Sequence, residues 1–216
     1  MMKRSLSAGI LAGGKSIRMG EDKRLMVIGG ETMLGRLVKE LAPLSPVISA
    51  PAEGLPKEVL FKAVSELRFE QRSDDPVHIK ESEKQGCLVI CDENEGIGPI
   101  EGIRRLLETA KTDDVFCCAA DMPFLTLQAA EYLADRRSAE YDCWIFTEKE
   151  RLHPLCGIYS RAALPAAENV IREGKYAVRV LLDQIRTKYI PIEETPLDPR
   201  VLMNINNREE YLALFK

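Results

Sequence analysis

The stretch "AGILAGGKSIRMGEDK", residues 8–23, decides the fold, because two different phosphate-binding loops can be read into it. Gly9, four residues, then Gly14, Lys15 and Ser16 satisfy GxxxxGK[ST], the P-loop of many NTPases. That reading ends the first strand before Gly9 and puts Ile10, Leu11 and Ala12 in the phosphate cradle. Its helix, starting at Gly14-Lys15-Ser16, would soon meet Gly20, Glu21-Asp22 and Gly29-Gly30, which oppose helix. The second reading carries the strand through Ile10 and Leu11 and opens the loop at Gly13-Gly14. Successive glycines let backbone N–H groups approach a base or phosphate, because no Cβ intervenes. Arg18 and Lys23 then return a fork-shaped and a point-charge donor towards the same place, a pair suited to a polyphosphate. The plainer reading of this stretch is a loop carrying two solvated cations. "VFCCAAD" (115–121) serves the P-loop as well, as an apolar strand ending in a magnesium-binding aspartate.

Outward from the loop, short apolar runs alternate with helical patterns. Residues 5–12, 46–50, 87–92, 114–121, 142–146 and 187–193 read as strands. Residues 32–43, 99–110, 127–138 and 207–216 carry apolar residues at helical spacing, and 161–185 reads as two helices separated by Gly174. Near-continuous apolar strands alternating with helices predict an α/β fold, a Rossmann-like three-layer sandwich around a mostly parallel sheet. Ligands of such sheets bind beyond the C-terminal strand ends, so the residues just after each strand are the site candidates. Residues 65–86 break the rhythm. They are dense in charge and poor in apolar periodicity, and read as a mobile insertion in a single domain spanning 1–216.

A net charge of -4 argues against a general nucleic-acid binder, whose phosphate contacts need a basic surface. No apolar run approaches the length of a membrane span, and the first residues do not form a signal peptide, so the expectation is a cytoplasmic protein without membrane partners. Six cysteines, at 87, 91, 117, 118, 143 and 156, sit mostly in apolar stretches and read as buried hydrophobes in a reducing compartment. Structural zinc would need a second ligand pair beside Cys87 and Cys91, and only two histidines, His78 and His153, exist to help.

Residues 11–23, "LAGGKSIRMGEDK", resemble the LAGGxSxRMGxDK signature of the molybdenum cofactor guanylyltransferases, in the MobA family of nucleotidyltransferases. The resemblance runs through most of the chain in order. "DENEGIGPIEGI" (92–103) is similar to the family's acidic residue followed by GPLxGI, and "AADMPFL" (119–125) to its CDxP magnesium motif. "HPLCGIYSR" (153–161) is similar to the strand lining its pterin side, and "MNINNREEY" (203–211) to its NxNTPEDL. The chain departs from the pattern at Arg24, at Ala120 in place of the CDxP cysteine, at the missing Thr-Pro after Asn206, and in a longer 51–86 connection.

The resemblance implies transfer of GMP from GTP to the phosphate of molybdopterin, with Mg²⁺ as cofactor, release of pyrophosphate, and transient contact with molybdoenzymes or their chaperones. Carried over by motif, Leu11, Ala12, Gly13 and Gly14 hold the guanine or its phosphates, and Arg18 and Lys23 hold phosphates as catalytic cations. Asp92 lies in the nucleotide pocket, Ser49 is the nearest match to a polar contact after the second strand, and Asp121 coordinates the metal. Asn204 and Asn206 face the metal and the acceptor, and His153 orients the acceptor's phosphate. Each has a plain structural counterpart: a turn cap for Asp121, a turn or core residue for His153, a helix cap for Asn206 or Asn207. The rivals are a transferase using CTP or another small acceptor, a non-catalytic nucleotide or cofactor carrier, and the P-loop NTPase.

Overall fold

The structure, a computed structural model, describes residues 5–13, 23–56, 59 and 88–214, with Lys23 described in its backbone only. Its centre is a seven-stranded sheet. In chain order the strands are β1 (Leu6–Leu11), β4 (Val47–Ala50), β5 (Leu88–Cys91), β6 (Asp114–Ala119), β7 (Cys143–Glu148), β8 (Arg151–Ser160) and β9 (Thr187–Pro191). Two further short strands, β2 (Val27–Ile28) and β3 (Glu31–Thr32), form a separate hairpin. The spatial order of the sheet is β5-β4-β1-β6-β8-β7-β9. All neighbouring pairs are parallel except β6–β8 and β7–β8, so β8 alone runs against the other six strands.

Alternation along the strands divides the core into two layers. Ala8 and Ile10 of β1, with Phe116 and Cys118 of β6, pack on the face covered by helices α1 (Met33–Glu40) and α3 (Leu127–Ala134). Val115 and Cys117 pack on the opposite face, under α2 (Pro99–Thr109), α4 (Leu164–Arg172) and α5 (Val178–Gln184). A last short helix, α6 (Arg208–Ala213), is capped by Asn207, whose side chain accepts from the Glu210 N–H at 2.8 Å. Among the described residues no helix is long and apolar enough to cross a membrane. The expected insertion at 65–86 lies outside the described residues.

Strand β1 settles the opening ambiguity. It includes Gly9, Ile10 and Leu11, paired on one side to Val47, Ile48 and Ser49 and on the other to Cys117, Cys118 and Ala119. The residues a P-loop would put in its phosphate cradle are therefore inside the sheet, with Ile10 fully buried. Gly9 answers a packing demand: a Cβ there would lie 2.5 Å from Leu106 Cδ1. The P-loop reading is thereby corrected at its first glycine.

Candidate active site

Four parallel strands, adjacent in space, bring the predicted residues to one edge. Reading across the sheet, Asp92 follows β5, Ser49 lies in β4, Gly13 follows β1 and Asp121 follows β6. Backbone hydrogen bonds just past the strand ends keep this edge regular. Ala12 N donates to Ser49 O at 2.8 Å, Asp92 N to Ala50 O at 2.9 Å, and Ala120 N to Leu11 O at 3.0 Å.

On the Asp92 side, the buried Ser49 hydroxyl donates to Asp92 Oδ1 at 3.0 Å. The other carboxylate oxygen stands 3.9 Å from where a Cβ on Gly13 would be, so the exposed Gly13 and Asp92 border the same space. Burial raises the Asp92 carboxyl to about 6, against the lowering effect of the Ser49 hydrogen bond and with the Glu101 charge adding to the rise. The carbonyls of Leu11 and Ala12 are partly engaged: Leu11 O accepts from Ala120 N, and Ala12 O from Arg24 Nη1 at 2.9 Å. A carbonyl has two lone pairs, so each can accept once more. Arg24 thus ties the helical turn at Lys23–Leu25 back to the residue after β1.

On the Asp121 side, the side chain is 7% exposed and Oδ1 accepts from Asn204 Nδ2 at 2.8 Å. The Asp121 carbonyl also accepts from Ile205 N at 2.9 Å, fastening segment 203–206 to the end of β6. Asn204 and Asn206 both line an adjoining cleft of about 350 Å³, whose wall also includes Glu148, Arg151, His153, Arg200 and Glu210. Asn206 is further held through its backbone N–H, which donates to Glu210 Oε2 at 2.7 Å. The capping role open to Asn206 or Asn207 falls to Asn207.

His153 sits in the wall of that cleft, 6% exposed, and its Nε2 has no hydrogen-bond partner among the described residues. Glu148 Oε2, at 4.0 Å, is beyond hydrogen-bonding range. Burial pushes the His153 pKa down, and the Arg151 charge pushes it further, against Glu148. The ring therefore favours its neutral form, and a residue in the cleft wall carries a buried nitrogen without a partner among the described residues, an arrangement that costs free energy.

The Asp121 end suits Mg²⁺, which keeps several waters and is held by one or two carboxylates together with substrate phosphates. A single carboxylate oriented by an amide, at a strand end, is that kind of donor set. Among the described residues no group of three acidic, histidine or cysteine side chains forms a closed metal cage. Cys91, Cys117, Cys118, Cys143 and Cys156 are free thiols, in line with their reading as packing residues. Gly14, Arg18 and the Lys23 side chain lie outside the described residues, so their placement is not part of this geometry.

Sequence reasoning missed four contributors. Glu148 and Arg151 reach the cleft because they face each other in the β7–β8 hairpin register, and Glu210 because α6 folds back. Glu101, in the first turn of α2, is fully buried and holds the turn that carries Asp92. The charge pair either side of the Lys149-Glu150 turn was an available hint for the hairpin.

The family model for MobA-like NTP transferase domains matches residues 8–188, a span that contains most of β1 together with Asp92 and Asp121. The chain belongs to this family. As a MobA-like NTP transferase it is an enzyme, a nucleotidyltransferase, and its similarity extends to whole proteins. It is 28% identical over 215 residues to a protein of Carboxydothermus hydrogenoformans named probable molybdenum cofactor guanylyltransferase, covering 98% of this chain and 96% of that one. A Methanosarcina mazei protein of the same name is 32% identical over 216 residues, covering 96% and 89%. In structure it is similar to molybdopterin-guanine dinucleotide biosynthesis protein A from Archaeoglobus fulgidus, with a TM-score of 0.73 at 21% identity, covering 96% and 95%, which supports the fold.

Proposed function

We propose that this MobA-like transferase moves GMP from GTP to the phosphate of molybdopterin, releasing pyrophosphate, with Mg²⁺ as cofactor. The observation that carries the proposal is the order of groups across the strand ends. Asp92, Ser49, Gly13 and Asp121 follow one another on β5, β4, β1 and β6, and the cleft with His153 lies beyond, against β8 and β7. Three inter-strand spacings amount to about 14 Å, a length an extended nucleotide can bridge from base to phosphates. The base then belongs at Asp92 and Gly13, the reacting phosphate at Asp121, and the acceptor in the cleft.

The reaction forms one bond and breaks one. An oxygen of the acceptor's phosphate attacks the α-phosphorus of the nucleotide, the bond to the β-phosphate oxygen breaks in line, and pyrophosphate leaves with the electron pair. Positioning and charge neutralisation carry most of such a transfer. Gly13 and the free lone pairs of Leu11 O and Ala12 O receive the base, and the ionised Asp92 accepts its N–H donors. Arg18 and Lys23 hold phosphate oxygens. Asn204 holds Asp121 in its rotamer, and neutral His153 offers its buried nitrogen to the acceptor. A Mg²⁺ ion bound at Asp121 supplies charge neutralisation at the transferring phosphate.

A guanine-reading site of acceptors leaves groups unpaired against adenine, which lowers affinity for ATP. The test is product analysis with GTP, CTP and ATP, each with Mg²⁺ and molybdopterin. Pyrophosphate release fastest with GTP supports the proposal. Equal or faster release with CTP contradicts the guanine assignment, and release of inorganic phosphate alone contradicts nucleotidyl transfer.

A further inference from the structure

Glu101 does not line the cleft, and its side chain is completely buried in the first turn of α2. Its Oε1 accepts from Glu93 N at 3.1 Å, Asn94 N at 3.3 Å, Asn94 Nδ2 at 3.2 Å and Arg104 Nη2 at 2.9 Å. Its Oε2 accepts from Arg104 Nε at 2.9 Å. Arg104 continues to Glu93 Oε2 at 2.7 Å, while Arg105 reaches Cys91 O at 3.0 Å and Glu93 Oε1 at 2.8 Å. Asp92 is therefore clamped on both sides: Cys91 before it by Arg105, Glu93 and Asn94 after it by Glu101.

Burial of an ion pair is weak support for stability, since well-packed apolar residues often serve as well or better. What no apolar residue could supply is three acceptor contacts to two consecutive residues of the turn. Burial pushes the Glu101 carboxyl up, but the hydrogen bonds from Arg104, Asn94 and Glu93 hold it below the ordinary value, so it stays ionised for this task.

We propose that Glu101 is a positioning residue for the nucleotide: through Glu93 and Asn94 it fixes the turn after β5 so that the Asp92 carboxylate faces Gly13. This rests on the assignment of the nucleotide base to Asp92 and Gly13. Among the described residues, the charged and titratable groups facing Asp92 are Glu101, Arg104 and Arg105 from α2 and the adjoining Cys91, with the Ser49 hydroxyl from β4. Of these, the negative charge of Glu101 raises the Asp92 titration, so its loss must lower it.

The experiment is calorimetric binding of GTP with Mg²⁺ from about pH 5 to about pH 8, on either side of the Asp92 titration near 6. In the wild type, affinity falls as pH drops through that region, and Asp92→Asn removes the inflection. Glu101→Gln is expected to weaken GTP binding about tenfold at the alkaline end, the scale on which loosened support of a binding group is felt, and to move the inflection to lower pH. Asn94→Ala, at an exposed position, removes one of the three contacts from the turn to Glu101 without changing any charge, and should weaken binding about threefold with the inflection unmoved. A Glu101→Gln protein with wild-type affinity and inflection, or an Asn94→Ala protein with wild-type affinity, overturns the positioning role. A wild type that binds no GTP overturns the proposed function instead, and this inference with it.

Discussion

The two ends of the sheet treat a carboxylate withdrawn from water, fully at one end and partly at the other, in opposite ways. At the N-terminal ends, Asp114 begins β6 fully buried and meets Arg137 at 2.7 Å, with the Arg137 side chain itself only 6% exposed. The neighbouring Asp113 accepts from Ser5 N at 3.0 Å and Ser5 Oγ at 2.9 Å, tying the start of β1 to the start of β6. At the C-terminal ends, Asp92 meets the neutral Ser49 hydroxyl, and its carboxyl is raised to about 6. A cation answers the charge at one end within the fold. At the other, a hydroxyl orients the carboxylate and leaves most of its burial cost standing, which is how binding sites differ from structural pairs.

That contrast can be broken most severely at Asp121. The Asp121→Asn side chain is nearly isosteric and can still accept from Asn204, but it carries no charge. Loss of one preorganised charge at a reacting phosphate should lower Mg²⁺-dependent pyrophosphate release by roughly two to three orders of magnitude, with the melting temperature little changed. Wild-type release at limiting Mg²⁺ would make Asp121 a turn residue and move the metal elsewhere.

At the other end the expectation reverses. Asp114→Asn leaves the buried Arg137 charge without its carboxylate, and should cost about 3–5 kcal/mol in urea unfolding. The folded fraction should retain its turnover per molecule. A stable Asp114→Asn protein with impaired catalysis would erase the distinction between the two ends.

Asp92→Asn gives the smallest effect and the most diagnostic sign. A carboxyl whose folded value is raised from 3.8 to about 6 destabilises the fold above pH 6, and the penalty fades as pH falls towards its unfolded value. Because the group is partly solvated, the gain on neutralisation should be discounted to about 1 kcal/mol near pH 8, with none left near pH 4. Chemical denaturation at both pH values measures it. A less stable Asp92→Asn protein at the alkaline pH would contradict the strained-site account.

Much of this was legible before the structure. The strands at 6–11, 47–50, 88–91 and 114–119 sit inside apolar runs, so periodicity locates them to within two residues. Asp92 and Asp121 follow such runs directly, which marks them as strand-end candidates. Strand β8 was legible only through the resemblance, because it opens on exposed Arg151 and passes through Pro154, and neither reads as buried strand. The hairpin at 27–32 carried its own signal in Gly29-Gly30, whose φ values of 63° and 89° are those a tight two-residue turn requires. Glu101 had no sequence signal at all: an acid in a helix's first turn ordinarily faces water. Only folding brings the turn at Glu93 and Asn94 back over it.

The central claim is that the glycine loop after β1 serves a nucleotidyltransferase, in which Lys23 is the phosphate lysine and Lys15 a bystander. The direct test is pyrophosphate release from GTP with molybdopterin and Mg²⁺ by Lys23→Ala and Lys15→Ala, after each is checked for folding. Removing a charge from a developing phosphate transition state should cost roughly two to three orders of magnitude in rate. A lysine outside the site should shift stability by less than about 0.5 kcal/mol and leave turnover within a few-fold of wild type. The account predicts a dead Lys23→Ala and an active Lys15→Ala; the reverse order would contradict it.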